Sequence, residues 1–225
     1  MNSVSEFEGS TAPGSANAAF CSNLSLGLHA ASQPLAILRA SLDSSLTDRM
    51  SKAELRQLAA SSALEVERVC ARLTFLKELV NTESIRSDLS ATPFLPLLGY
   101  VIDGAIRLFE ASEMTLSSVA PKFCQPVLID RAKTLQVLSS VLLVAHEMSS
   151  PRDSVEIITS SDSPKIVQVI VRNLNSIVDT LDVGRHLIMI LAEANIRSQQ
   201  GNLSWRLSPF SVKIELKKAP AAHRQ

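Results

Sequence analysis

The sequence predicts an α+β protein in which an N-terminal helical hairpin precedes a sandwich of helices on one mainly antiparallel sheet. Three observations carry that prediction. Apolar residues from Leu24 to Val80 recur at alternating steps of four and three, the period of long amphipathic helices. Beyond Asn81 the pattern switches repeatedly between helical and strand periods, as it must where helices cover a sheet. Hydrophobic residues make up 46% of the 225, enough for a packed core.

Residues 1–17 are rich in Ser, Gly and Ala and have no period that could bury a face, so they read as a disordered tail. The hairpin occupies residues 18–90. Its first helix carries the seam Leu24, Leu28, Ala31, Leu35, Leu38, Leu42 and Ser45. Ser51 with Glu54 forms a capping-box signature, after which Leu55, Leu58, Ser62, Val66, Val69, Leu73, Leu76 and Val80 repeat the spacing. The link Asp48-Arg49-Met50 is short, which makes the helices antiparallel neighbours. Two helices cannot cover both sides of their own stripes, so a second copy is expected to complete a dimeric four-helix bundle.

Residues 91–219 form the second domain. Thr92-Pro93 and Pro96 mark a linker, and Leu97 to Ala111 reads as a helix. Strand patterns follow at Thr115 to Val119 and Val127 to Ile129, then a helix from Ala132 to Met148 behind Asp130. Strands at Ser154 to Thr159 and Lys165 to Arg172, a helix from Val183 to Ser198, and strands at Asn202 to Leu207 and Ser211 to Leu216 complete the order.

Composition excludes several classes. Lys plus Arg and Asp plus Glu each number 22, so no net field draws the chain to nucleic acid or an anionic membrane. Cys21, Cys70 and Cys124 are odd in number and far apart, a pattern of reduced thiols rather than disulfides or a zinc site. No apolar run approaches the roughly 20 residues of a membrane span, and a soluble cytoplasmic protein without a metal site is expected.

One histidine stands out. His29 lies in Leu28-His29-Ala30-Ala31-Ser32-Gln33-Pro34-Leu35, on the flank of the first helix about 100° from the seam residue before it. Neutral imidazole is a good nucleophile near neutral pH, which makes His29 a candidate phosphate acceptor. Pro34 has a second reading as a kink, and the bend it causes would help to expose His29.

A hairpin with an exposed histidine, then an α/β sandwich, resembles the dimerisation and ATP-binding modules of bacterial two-component histidine kinases. The resemblance covers most of the chain. His29, Gln33, Pro34 and Leu35 look like the phosphoacceptor box, in which Gln before Pro-Leu is a common variant. Leu135-Gln136-Val137-Leu138 and Val141-Leu142-Leu143 look like the helix that carries the Mg-binding asparagine, whose place falls at Val144.

The departures from that family are as informative. Ala30 replaces the acidic residue that usually follows the histidine, and Gln33 replaces the phosphatase-type Asn or Thr. Asn173-Leu174-Asn175-Ser176 stands where an adenine-reading Asp and glycines would be, and the second glycine box is reduced to Gly184-Arg185-His186-Leu187. A phosphate cradle calls for glycine and Mg²⁺ for hard oxygen ligands. Val144, Asn173 and Gly184 therefore read as degenerate positions, no cofactor is expected, and neither ATP hydrolysis nor autophosphorylation is expected.

The remaining candidates have simpler readings. His146 and His186 stand beside no carboxylate or Cys at metal spacing and read as fold or surface residues. His223 lies in the tail. Asp130, Glu147 and Asp179 read as solvated carboxylates, and Trp205 as a packing residue.

The resemblance implies a histidine phosphotransfer protein: His29 relays phosphate between receiver-domain aspartates of response regulators, with Mg²⁺ supplied by the receiver. The alternatives are a working kinase with a divergent nucleotide site, and a pseudokinase scaffold without chemistry.

Overall fold

The computed structural model describes residues 13–47, 50–84, 87–176 and 180–220, and the chain divides into two compact units, Met1–Lys77 and Glu78–Gln225. The division falls within the second helix, whose last turns group with the second unit.

The first unit holds α1 (Pro13–Thr47) and most of α2 (Lys52–Ser84). α1 starts at Pro13, within the expected tail of residues 1–17. Proline is well suited to a first helical position because its missing N–H has no intrahelical partner there. Residues 1–12 and the link residues Asp48 and Arg49 lie outside the described residues. The capping box is formed: Ser51 N–H donates to Glu54 Oε2 at 2.6 Å, and Glu54 N–H donates to Ser51 Oγ at 3.3 Å. These bonds hold the Glu54 carboxyl below the usual carboxylate range, the Ser51 backbone N–H contributing most.

Gly27 meets Leu76 and Phe75, and Ala30 meets Arg72, so the helices run antiparallel as the short link required. The seam divides into two heptad sets. Ala31 is buried with Leu24, Leu38 and Ser45 half-buried, whereas Leu28, Leu35 and Leu42 are exposed. In α2 the division is less regular: Leu76 is buried and Leu58, Ser62 and Val69 half-buried, while Leu55, Val66, Leu73 and Val80 are exposed. The seam is therefore only half covered within one chain.

The second unit is a two-layer sandwich. Its strands are β1 (Ser90–Thr92), β2 (Thr115–Val119), β3 (Val127–Ile129), β4 (Ser154–Ser160), β5 (Ile166–Asn173), β6 (Asn202–Arg206) and β7 (Ser211–Lys217). Its helices are α3 (Phe94–Ala111), α4 (Arg131–Glu147) and α5 (Val183–Ser198). The main sheet has the order β2-β4-β5-β7-β6, antiparallel except for the parallel β2–β4 pair. A separate antiparallel pair joins β1 to β3. β1 falls where a linker was expected, and Pro93 follows it as the N-cap of α3.

Alternation along the strands decides what the sheet buries. Val155 and Ile157 of β4, Val167, Val169 and Val171 of β5, and Val212, Ile214 and Leu216 of β7 form one core with Phe94, Phe109, Val141 and Met189 of the helices. The opposite face carries Glu156 with Arg172 and Lys213 with Glu215, paired at 2.7 and 2.6 Å. This is the apolar-in, polar-out division of an antiparallel sheet covered on one side. Trp205 packs against the core while half-buried.

The largest buried polar side chain of this unit, Gln199, is matched at both its amide atoms. Gln199 Oε1 accepts from Asp130 N–H at 2.8 Å and Thr134 Oγ at 2.9 Å, and its Nε2 donates to the Asn195 carbonyl at 2.9 Å. Asp130 is the N-cap of α4, its carboxylate accepting from Lys133 N–H at 3.1 Å. Such a network fixes the end of α5 against the start of α4.

Candidate functional site

His29 sits in the middle of α1 with its side chain exposed, as do Gln33 and Leu35, while Ala30, Ala31 and Pro34 are buried. The small residues Gly27, Ala30 and Ala31 lie on the buried side. A Cβ on Gly27 would stand 2.5 Å from Leu76 Cδ2, so α2 approaches closely beneath the histidine. The imidazole is thus displayed outward from a closely packed base, on the flank the heptad geometry predicts. Its neighbour Ala30 brings no acid or base to it.

The second unit carries the three positions expected to be degenerate, Val144, Asn173 and Gly184. Val144 is wholly buried in the core and has no oxygen to offer a cation. Asn173, at the end of β5, is also fully buried. Its Nδ2 donates to Ser149 Oγ at 2.8 Å and to Asp153 Oδ2 at 2.9 Å, and its Oδ1 accepts from Asn175 N–H at 2.9 Å. Both amide hydrogens and one carbonyl lone pair are therefore committed inside the protein. Asp153 also accepts from Ser150 N–H at 2.9 Å. That bond first, and the Asn173 amide second, hold its carboxyl below the usual range.

Gly184 lies in the first turn of α5 and lines a cleft of about 640 Å³ with His146, Glu147 and Arg185. No described glycine has a positive φ, so none makes the left-handed turn that brings backbone N–H groups around a phosphate. The N-terminus of α5 is a natural anion site, but the chain's own Asp182 fills that role, its Oδ1 accepting from Arg185 N–H at 3.0 Å. Arg185 Nε in turn lies 3.0 Å from carboxylate oxygens of both Glu147 and Asp182. The positions expected to grip a nucleotide are occupied by a core valine, a locked asparagine and a paired arginine.

The other candidates have structural partners. His146 Nε2 lies 2.9 Å from Ser112 Oγ, and its ring meets Phe109 edge to face. His186 meets Trp205 in the same manner. Glu147 pairs with Arg185, so it is not simply solvated. Asp179 and His223 lie outside the described residues. Cys21, Cys70 and Cys124 are free. Among the described residues there is no cluster of His, Cys, Asp or Glu that could hold a metal ion and no helix long and apolar enough to cross a membrane. The feature that sequence reading missed is Arg72, whose Nη1 donates to the Ala30 carbonyl beside His29.

No family model and no curated protein matches the sequence. Solved structures do. Histidine kinase AdeS of Acinetobacter baumannii shares 15% identity at a TM-score of 0.54, over 83% of this chain and 95% of that one. The fold is that of the histidine kinases. ThkA, solved in complex with the response regulator TrrA, shares 15% identity at a TM-score of 0.61, over 87% of this chain and 61% of that one. Full-length ShkA, in complex with AMPPNP, shares 13% identity at 0.53, over 94% of this chain and 47% of that one. The histidine-kinase fold thus spans both the hairpin and the sandwich.

Proposed function

We propose that this chain is a histidine phosphotransfer protein of two-component signalling, acting in the cytoplasm and relaying phosphate through His29 between receiver-domain aspartates. The observation that carries the reading is the contrast within one chain. The imidazole of the hairpin is exposed, whereas Val144 and Asn173 are sealed in the sandwich. Those two residues do not fit a Mg-nucleotide. The histidine-kinase fold and the ThkA complex with a response regulator support response regulators as partners.

In the transfer, a neutral ring nitrogen of His29 attacks the phosphorus of a receiver's aspartyl phosphate. The phosphorus–oxygen bond to the aspartate breaks, the aspartate leaves as carboxylate, and a phosphorus–nitrogen bond forms. The proton on the other ring nitrogen passes to water. The receiver would hold the Mg²⁺, which when bound would supply charge neutralisation at the phosphoryl group. The reverse sequence loads the next receiver. The absence of an acidic neighbour at Ala30 suits a histidine whose partner brings the charged machinery.

The exposed heptad sets favour a homodimer. Leu28, Leu35 and Leu42 are 53%, 50% and 45% exposed in the single chain, and a second copy seated on them gives a four-helix bundle with both histidines on its flanks.

The test is incubation with a phosphorylated receiver. An acid-labile label on the wild-type chain that disappears in His29→Gln is expected. Equal labelling of both, or none of either, overturns the relay and in the latter case leaves a non-catalytic scaffold. A divergent kinase is the second reading, favoured by the open cleft beside Gly184. Saturable ATP binding in the micromolar range with Mg²⁺ would establish it over the relay.

A further inference from the structure

Proline in a helix removes the N–H that would bond the carbonyl four residues back, and its ring crowds that same carbonyl. For Pro34 the orphaned carbonyl is that of Ala30, the residue after His29. Ala30 is 2% exposed, and a buried carbonyl without a donor is strongly disfavoured. The donor comes from the other helix: Arg72 Nη1 bonds the Ala30 oxygen across the hairpin. A guanidinium is permanently charged and planar, so this bond is charge-assisted and directional. On the other side of His29, Ser32 Oγ donates to the Leu28 carbonyl at 2.9 Å. The carbonyls flanking the histidine are both held, one by a local hydroxyl and one from α2.

We propose that Arg72 is a positioning residue for His29, restoring from α2 the hydrogen bond that Pro34 takes from α1 and so fixing the turn that displays the imidazole. Pro34 and Arg72 then act as a pair. The proline opens the backbone beside the histidine, and the arginine keeps that opened backbone in one conformation. This role rests on the relay reading for its benefit to transfer, but the geometry it describes does not involve a partner.

The pairing is tested in the full chain with Arg72→Met, which keeps length and removes the donors, Arg72→Lys, which keeps charge, and Pro34→Ala, which returns a backbone N–H to the Ala30 carbonyl. Arg72→Met is expected to speed hydrogen exchange at amides 31 to 33 by about tenfold or more, and to shift the His29 ring resonances. In the Pro34→Ala background the same change is expected to do neither, because the backbone N–H regained at position 34 bonds the carbonyl. Equal effects in both backgrounds, or unmoved ring resonances, overturn the proposal. Uptake of phosphate from a saturating phosphorylated receiver is expected to slow about tenfold or more in Arg72→Met, with Arg72→Lys recovering part of the rate. An unchanged rate overturns the positioning role. A wild-type chain that accepts no phosphate sinks the relay reading alone, since exchange and ring resonances are measured without a receiver.

Discussion

Replacing Asn173 by Asp changes almost no volume and reverses the chemistry of a fully buried group. Asn173 gives one hydrogen bond to the neutral Ser149 hydroxyl and one to the Asp153 carboxylate, at 2.8 and 2.9 Å. A neutral bond contributes about 1 kcal/mol and one to a charged group about 1.5–3 kcal/mol, so losing both donors removes roughly 2.5–4 kcal/mol. The new carboxylate also faces Asp153 at hydrogen-bond distance, which adds like-charge repulsion. For a unit of this size about 3 kcal/mol lowers the melting temperature by roughly 6–12 °C. Circular dichroism melts at neutral pH should show that drop in Asn173→Asp. The gap should narrow below about pH 5, because protonating one of two adjacent carboxyls turns repulsion into a hydrogen bond. A variant that melts with the wild type at neutral pH, or whose deficit is the same at every pH, refutes the locked-asparagine account.

Three further outcomes follow from the geometry. Leu35→Glu should leave the single chain's helix content intact, since Leu35 is half exposed there, but weaken self-association by at least about tenfold in sedimentation, as burying even half of a leucine in each copy is worth about 1 kcal/mol or more. Gly201→Ala should destabilise the second unit by about 1–3 kcal/mol in guanidinium titrations, because a Cβ there would stand 2.6 Å from the Glu215 backbone oxygen, which cannot move aside. Stability of the wild type should be level near neutral pH and fall on acidification. The Asp153 carboxyl lies below its ordinary 3.8; burial pushes Glu215 up, but the Lys213, Asn202 and Gln168 bonds and the Lys213 charge together outweigh it and leave it below 4.5. Stability held by depressed carboxyls is present above these ordinary values and is lost as pH falls through the folded-state ones. A melting temperature that rises on acidification from about pH 5 to about pH 3 would contradict this.

The sandwich was legible because its periods change sharply. β2, β3 and α5 begin and end where alternation or helical spacing begins and ends in the sequence. β1 was not legible, since Ser90-Ala91-Thr92 is a short, largely exposed strand with no buried alternation. The start of α1 at Pro13 was hidden for the same reason, in a stretch of small residues without period. In the hairpin the heptads were evident, but a seven-residue repeat does not say which set turns to the partner helix and which stays exposed in the single chain. His29 could be placed on an outer flank from angle alone. Arg72 could not be found that way: the proline names the carbonyl that needs a donor, but the donor depends on the register of the hairpin. The lock on Asn173 joins β5 to residues some twenty positions earlier, a contact no local pattern encodes.

The last strand of the sheet has a consequence for how the protein is made. β7 lies between β5 and β6, so a nascent chain that has not yet delivered residues 211–217 exposes the apolar rows of β5 and the helices together, with two unpaired edges. The hairpin needs only neighbours close in sequence and can form as soon as it leaves the ribosome, while the sandwich must wait. Premature termination ahead of Ser211 is therefore expected to yield a folded N-terminal stalk attached to a sticky, aggregation-prone remnant, whereas losses confined to residues after Ala219 leave every strand in place.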